Sequence, residues 1–539
     1  MARILFWLLL VVVALPLGVI AFNYTHLDYG LWQHLADTVL SQYVTNSLLL
    51  ALGVGIGTGT IGTGLAWCLT RYQFFGSRWL AWFAVLPLAV PAYIIAYTYT
   101  GYLDFSGPIQ TSLRTLFGWG YGDYWFPEIR SIGGAIAMLS LVLFPYVYLL
   151  ARNALVLTPP NLIQAAQSLG MNNKQVFWKV IFPVARPAIL AGVMLTMMEA
   201  LADYGTVAFF GVSTFTTGIF RTWFGMGSQS TALQLAGVLV VFVFSCVYIE
   251  QVSRRKMLKE AQVNATQPRK ITGFKSTGLF LLCLLPVILG FILPVIQLIN
   301  WAFLRQSEWQ LSSYLPLVGQ TLMIASTGAV VTTAAAFFLS YVRRFNPDST
   351  PLWTLNFASL GYALPGVVIA VGLLVPFGFF DKYVNRLTVA WFDYQPGLIL
   401  SGTLFTLLIA YLVRFLAVAL QHTQSGLSSI TPSMDNAAES LGHPRFQIIR
   451  RIHFPLMKNS IIAAVLLVFV DIMKELPATL VLRPFNFNTL AIKAYEFAMD
   501  ERLQQAALPS ITIVLCGVAP VFLLIKQIRK NETMYVNRD

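Results

Sequence analysis

The sequence predicts an all-α polytopic membrane protein of about twelve transmembrane helices in two parallel six-helix repeats. Three observations lead there. The 539 residues are 57% hydrophobic and only 11% charged, with a mean hydropathy of +0.70; a soluble domain carries roughly a quarter charged residues. The apolar residues fall in runs such as LFWLLLVVVALPLGVIAF (5–22) and IIAAVLLVFV (461–470), and about 20 such residues cross a bilayer as one helix. Two polar, basic stretches repeat each other 272 positions apart: QAAQSLGMNNKQVFWKVIFP (164–183) and NAAESLGHPRFQIIRRIHFP (436–455).

In chain order the runs give spans near 4–22, 44–70, 79–100, 132–151, 187–211 and 232–250, then 277–301, 319–341, 352–377, 397–416, 459–481 and 508–525. The first follows Arg3 like a signal peptide, but it is long and lacks an A-x-A site, so a retained helix is expected. Six spans per half return each half to the side where it began, which makes the repeats parallel. The register holds over a long distance: NSLLLA (46–51) matches QTLMIA (320–325), Pro91 matches Pro365, and Glu199 and Asp203 match Asp471 and Glu475. That is an internal duplication. It divides the chain into 1–253, a polar basic connector at 254–276, and 277–539.

The net charge of +13 does not read as a nucleic-acid footprint. Most Lys and Arg residues, among them Arg71, Arg78, Lys174, Arg254, Arg255, Arg343, Arg344, Arg450 and Arg451, fall at one set of span ends. That asymmetry places those ends, and both termini, in the cytoplasm. The duplicated stretches then lie in cytoplasmic loops, 157–186 and 429–458. Each loop opens on Thr-Pro (158–159, 431–432), a good helix start, since the hydroxyl caps and proline suits the first turn. The helix carries paired alanines, Ala165-Ala166 or Ala437-Ala438, and stops at Gly170 or Gly442, suited to a left-handed corner. A second amphipathic helix follows and is expected to end at Phe182-Pro183 or Phe454-Pro455. Such a helix pair suits docking into two equivalent clefts of a partner. The plainer reading is a helix lying along the membrane surface.

No G-x-x-x-x-G-K-[ST] phosphate loop occurs, so nucleotide chemistry must come from another polypeptide. Gly57-Thr58-Gly59-Thr60-Ile61-Gly62 fits G-x-G-x-x-G, but inside a span. Gly53/Gly57 and Gly55/Gly59 there suit close helix packing instead. The cysteines (68, 246, 283, 516) lie in apolar spans and read as core residues. The histidines (26, 34, 422, 443, 453) form no ligand cluster and read as surface residues. Neither a cofactor nor a metal centre is indicated, and the chain does not read as an enzyme.

Charges inside spans are costly and usually functional. Glu199 and Asp203, and Asp471 and Glu475, are spaced by four and so share one helical face; each pair precedes a break, Tyr204-Gly205 or Leu476-Pro477. They are candidate pathway residues, with Tyr204. The alternative is a structural ion pair of Lys474 with Asp471 or Glu475.

The spacing Gln164-Ala165-Ala166, Gly170, Val180, Phe182-Pro183, and its second copy Asn436-Ala437-Ala438, Gly442, Ile452, Phe454-Pro455, resembles the signature loop of inner-membrane permeases of binding-protein-dependent ABC importers. The leading glutamate of that signature is Gln164 here in one copy and Asn436 in the other. The resemblance covers essentially the whole chain as two fused permease domains. It implies the ABC importer permease fold, a bacterial inner-membrane location, two copies of a cytoplasmic ATP-binding subunit, a periplasmic substrate-binding protein and no nucleic acid. It also makes Ala165, Ala166, Gly170, Ala437, Ala438 and Gly442 the coupling residues. Leu201-Ala202-Asp203-Tyr204-Gly205-Thr206 and Phe215-Thr216-Thr217 resemble ferric-iron permeases in particular, which implies iron(III) as the cargo. Asp, Glu and Tyr oxygens are hard ligands compatible with it. The second half departs from that pattern at Lys474-Glu475-Leu476-Pro477. Thiamine permeases share the fused layout and are the alternative. A secondary transporter with parallel halves is a further one, although 71–78 (RYQFFGSR) lacks the acid such carriers place between their second and third spans.

Overall fold

The computed structural model describes residues 2–25, 29–156, 160–255, 268–305 and 311–520. Among them, ten helices are long and apolar enough to cross a membrane. A pair of helices, Ser77–Ala89 and Ala92–Phe117, reaches that length and apolarity only when taken together, and it is bent by 94° at the break. The bounds of several of the twelve expected spans are corrected. The third is broken at Pro91, which stands at the N-cap of its second piece with φ −58°. Pro365 takes the same place before Gly366–Phe392, with φ −56°, so only that later piece of the 352–377 region is long. The tenth begins at Leu404 rather than 397. Gly397 and Gly402 have φ +79° and +71°, and the backbone N–H groups of Ile399, Leu400 and Ser401 all donate to the buried Asp381 carboxylate. Those residues are bound as a loop and cannot be helical. The twelfth is described as far as the apolar helix Ala507–Pro520, and the rest of 508–525 lies outside the described residues.

The glycines of Leu40–Arg71 pack two neighbours at once. A Cβ on Gly53 would lie 2.6 Å from Ile136, and one on Gly57 would lie 2.3 Å from Ser140 Oγ. A Cβ on Gly62 would stand 2.8 Å from the Phe144 carbonyl oxygen. Those residues belong to Ile132–Val156. Gly55 and Gly59 face Met197 and Val193 of Phe182–Ala202 instead. The G-x-G-x-x-G match is therefore a packing surface: small residues let the backbones approach, which is what drives helix association where lipid is as apolar as leucine.

Two compact units emerge, and neither is a continuous half of the chain. One gathers 1–32, 219–237 and 309–492; the other gathers 33–218, 238–308 and 493–539. The opening helix, Ala2–Asn23, thus packs with helices from the later part of the chain. A Cβ on Gly372 would lie 2.8 Å from Pro16 Cα. In the other unit, a Cβ on Gly290 would lie 2.5 Å from the Leu141 carbonyl oxygen and 3.1 Å from Pro87. At both places a glycine admits close backbone contact. The repeat boundaries at 253 and 277 describe the duplication, and the packing crosses them. Residues 256–267 of the connector lie outside the described residues. Its end, Arg269–Lys270, pairs in parallel with Tyr72–Gln73.

Candidate functional site

The two duplicated stretches fold alike. The first loop helix is Pro160–Ser168 and the second is Pro432–Ser440. At the corner of the first, the Gly170 N–H donates to Gln167 at 2.9 Å and the Met171 N–H to Ala166 at 3.1 Å; at the second, Gly442 donates to Glu439 at 2.9 Å and His443 to Ala438 at 3.1 Å. This bond pair makes a Schellman corner, whose hinge residue needs a left-handed φ. Gly170 has φ +81° and Gly442 φ +79°. A Cβ at either would meet nothing within 4 Å, so the backbone angle, and not space, selects glycine.

The paired alanines divide between two tasks. Ala165 and Ala437 are exposed, whereas Ala166 and Ala438 are buried and seat the helix. The sequence reading passes over the residue just before the corner. Leu169 and Leu441 are 80% and 78% exposed, so each loop presents a bare leucine beside its corner. The signal was available: an apolar residue at the same place on both polar helices. Of the two expected helix starts, only the second is described, and its capping bond is corrected. The first Thr-Pro falls at residues outside those described. In the second, Thr431 occupies the N-cap, but its hydroxyl meets Ser433 Oγ at 2.8 Å and makes no cap bond to the backbone.

Beyond each corner the helix does not end at Phe-Pro. It runs on as one membrane-length helix, Lys174–Ala202 or Arg445–Met473. The turns Phe177–Ile181 and Ile449–His453 widen to π geometry just before Pro183 and Pro455. A proline inside a helix lacks a donor and crowds the carbonyl four residues back. A widened turn relieves both without breaking the helix.

The joints beneath the loops differ. Under the first, Ile163, Ala166, Val176 and Ile181 form an apolar cluster with Trp67, Leu155 and Met171 packed against it. Under the second, His453 is fully buried, which corrects its reading as a surface residue; His422 and His443 are partly buried too, and His26 is outside the described residues. His453 Nε2 donates to Asp435 Oδ1 at 2.6 Å. Arg344 donates to Asp435 Oδ2 at 2.8 Å through Nε, and to the Leu427 and Ile430 carbonyls at 3.0 and 2.9 Å. Tyr341 and Phe345 stack on the imidazole.

The acidic positions serve the helix breaks. Phe182–Ala202 stops before Asp203, which is extended at φ −66°, ψ 135°. Phe454–Met473 ends one residue sooner relative to its acid, with Lys474 at the C-cap in helical geometry (φ −98°, ψ −2°) and Glu475 beyond it. Neither acid shares a helical face with its partner four residues earlier, which corrects the spacing argument: the helix ends first. Each carboxylate instead caps the short helix that follows. Asp203 Oδ1 accepts from the Thr206 and Val207 N–H at 3.0 and 3.1 Å. Glu475 accepts from the Ala478 and Thr479 N–H at 2.8 and 2.9 Å, and from the Thr479 hydroxyl. Thr216 Oγ1 donates to the Asp203 carbonyl at 2.7 Å, joining the two segments noted around 203 and 216. Lys474 pairs with Asp471 at 2.9 Å, and Arg414 lies 3.9 Å from Glu475. Glu199 is half-buried on Phe182–Ala202, and the Tyr204 ring lies 6.2 Å from that of Tyr495. In the connecting loops, Arg130 grips Glu501 with two bonds of 2.6 and 2.8 Å and holds its carboxyl below the ordinary glutamate range.

With this geometry in view, comparison with known proteins is decisive. The family model described as the binding-protein-dependent transport system inner membrane component matches the chain twice, at residues 52–259 and 333–531. The chain belongs to that family. Its members are transport components, so this is a multi-pass inner-membrane protein that works with a periplasmic binding protein and an ATPase. Among curated relatives, the Fe(3+)-transport system permease protein FbpB 2 of Haemophilus influenzae is 29% identical over 97% of this chain and 98% of its own. The ferric transport system permease protein FbpB of Actinobacillus pleuropneumoniae is 25% identical over 82% of this chain and 65% of its own. The sulfate transport system permease protein CysT of Escherichia coli is 26% identical, but over 37% of this chain.

Proposed function

We propose that this permease forms the translocation pathway for iron(III) delivered by a periplasmic binding protein, and that two copies of a separate ATP-binding subunit drive it. The observation that carries the cargo is the end-to-end likeness to a ferric permease, over 97% of one chain and 98% of the other. The sulfate permeases align with about a third of the chain, so their likeness speaks for the shared family.

In this reading the loops at 157–186 and 429–458 are cytoplasmic, as are both termini, and each loop helix docks in a cleft of one ATPase subunit. Ala165 and Ala437 let the partner approach, Gly170 and Gly442 set the corner, and Ala166 and Ala438 hold the helix on its joint. Leu169 and Leu441 supply apolar tips. Two ATPases closing together would move both helices and switch the spans between two states, a coupling between separate sites. Glu199, Asp203, Tyr204, Asp471 and Glu475 are the proposed pathway residues. A few oxygens near helix breaks would ease a cation through without trapping it. The halves 1–253 and 277–539, joined by 254–276, are the two permease repeats.

The test is uptake into proteoliposomes holding the permease, its ATPase and the iron-loaded binding protein. Radioactive iron(III) should enter in an ATP-dependent way and resist competition by thiamine or sulfate. Uptake of thiamine or sulfate in place of iron would overturn the assignment. For topology, Lys174→Cys and Arg386→Cys should label from opposite faces; labelling from one face would overturn the orientation.

A further inference from the structure

The two loop helices stand on unlike joints, and the difference falls at matched positions. In the 272-residue register, Asp435 and His453 occupy the places of Ile163 and Ile181. The first pair belongs to an apolar cluster. The second is a hydrogen-bonded pair, with Asp435 also gripped by Arg344 at 2.7 Å.

We propose that Arg344, Asp435 and His453 form a positioning clamp that fixes the second coupling helix rigidly to its spans, so that the two coupling helices transmit the ATPase stroke unequally. The inference rests on the coupling role proposed above for the loops and adds to it a mechanical asymmetry.

The geometry supports this in three ways. The clamp ties four elements at one point. Arg344 ends the Leu311–Phe345 helix and bonds the Leu427 carbonyl at the end of Leu404–Ser428. Asp435 lies in the first turn of the loop helix. His453 closes the widened turn Ile449–His453 within the Arg445–Met473 helix. Second, the bonds are directional. A charge-assisted bond is short and weakens as its angle opens, whereas apolar contact is non-directional and lets surfaces slide. Third, the clamp is enclosed. His453 is fully buried, with Tyr341 and Phe345 against its ring, and the Arg344 and Asp435 side chains are only 16% and 13% exposed, so separating them leaves a largely desolvated charge unpaired. The second helix cannot tilt without straining these bonds, whereas at the matched positions of the first, Ile163 and Ile181 make only apolar contact.

The experiment uses the full transporter in proteoliposomes with binding protein and ATPase, and reads iron transported per ATP hydrolysed. Asp435→Asn should lower binding-protein-stimulated transport about tenfold, within the range of allosteric coupling factors. The KM for ATP should stay unchanged, because the nucleotide site is on another polypeptide. Ile163→Val, the matched position of the first loop, should transport close to the unsubstituted chain. A crosslink from Leu441→Cys to the ATPase separates the two ideas. If it fails to form in the otherwise unsubstituted chain, the coupling role of the loop is wrong. If it forms and Asp435→Asn transports at full rate, the clamp alone is wrong. Should Asp435→Asn fail to assemble, the all-apolar joint Arg344→Leu/Asp435→Ile/His453→Ile decides. Assembly with lost transport supports the clamp, and normal transport rejects it.

Discussion

At the first loop, Ile163, Ala166, Val176 and Ile181 close an apolar joint; at the second, Arg344, Asp435 and His453 close a charged one. Above these joints the two loops share their corner bonds, their glycine angle and their bare leucine. The likeness is on the face a partner would meet, and the divergence is underneath it. A docking face must suit equivalent partner surfaces in both copies. A joint answers only to the core beside it, where isoleucines among Trp67 and Leu155, or an ion pair beneath Tyr341 and Phe345, fill the space equally well. If the loops dock as proposed, separating the docking face from its support would let one duplicated motif keep its contacts while its stiffness changes.

The largest test of that comparison removes one charge. Asp435→Ala leaves Arg344 and His453 without their shared acceptor; removing one partner of a fully buried pair costs about 3–5 kcal/mol, and this pair, 16% and 13% exposed, should lose up to that amount. Ile163→Val on the apolar joint should cost about 0.5–1.5 kcal/mol. Thermal unfolding of the purified chain in one detergent should rank them in that order, and equal losses would erase the distinction between the joints.

The exposed leucines come next. Leu169→Asp and Leu441→Asp remove an apolar tip whose full burial is worth about 1.5–3 kcal/mol. Both should weaken ATPase binding by similar factors in a pull-down titration while leaving unfolding nearly unmoved, because the side chains are solvent-exposed. A loss at one loop only would show that the docking faces differ as well as the joints.

The corners give a smaller and graded effect. A left-handed φ costs a non-glycine residue roughly 1–2 kcal/mol, less for asparagine, which tolerates that region. Transport should therefore fall in the order Gly→Asn, Gly→Ala, Gly→Val at both 170 and 442, with Val the worst. Asparagine as damaging as valine would mean that the partner excludes any side chain there.

The smallest effect calibrates the buried pair against an exposed one. Arg130 lowers the Glu501 carboxyl below its ordinary value of 4.5. The pair's contribution is therefore complete above that value and is lost as pH falls through the lowered one. Glu501 is 59% exposed, so about 0.2–1 kcal/mol is expected. Glu501→Gln should unfold slightly earlier than the unsubstituted chain at pH 7 and together with it at low pH. A gap that persists in acid would assign the effect to the backbone at Glu501, whose φ is +60°.

Much of this protein follows from sequence alone, because the controlling quantities are local. Run length and apolarity predict spans, since the bilayer sets a fixed thickness. Gly170 and Gly442 announce their corner, since few other residues accept that angle. Gly53 and Gly57 announce a close helix contact, since any side chain would block it. Matched positions reveal the duplication without any fold. What the tertiary structure decided depends on groups distant in sequence. The i,i+4 face proposed for Glu199 and Asp203 disappears because the helix ends at Ala202, and the carboxylate turns to the next helix's N–H groups. The tenth span starts late because Asp381, some 18–20 residues earlier on the preceding helix, captures three amides at 399–401. Pro16 meets Gly372 across most of the chain's length, so the compact units cut across the halves. His453 looks like a loop histidine by its neighbours Arg451 and Phe454; only folding brings Asp435 and Arg344 to it and closes two aromatic rings over it. Short-range sterics and hydrophobic period are written along the chain, whereas the partner of a buried polar group is chosen in three dimensions, where each must find one or remain unsatisfied.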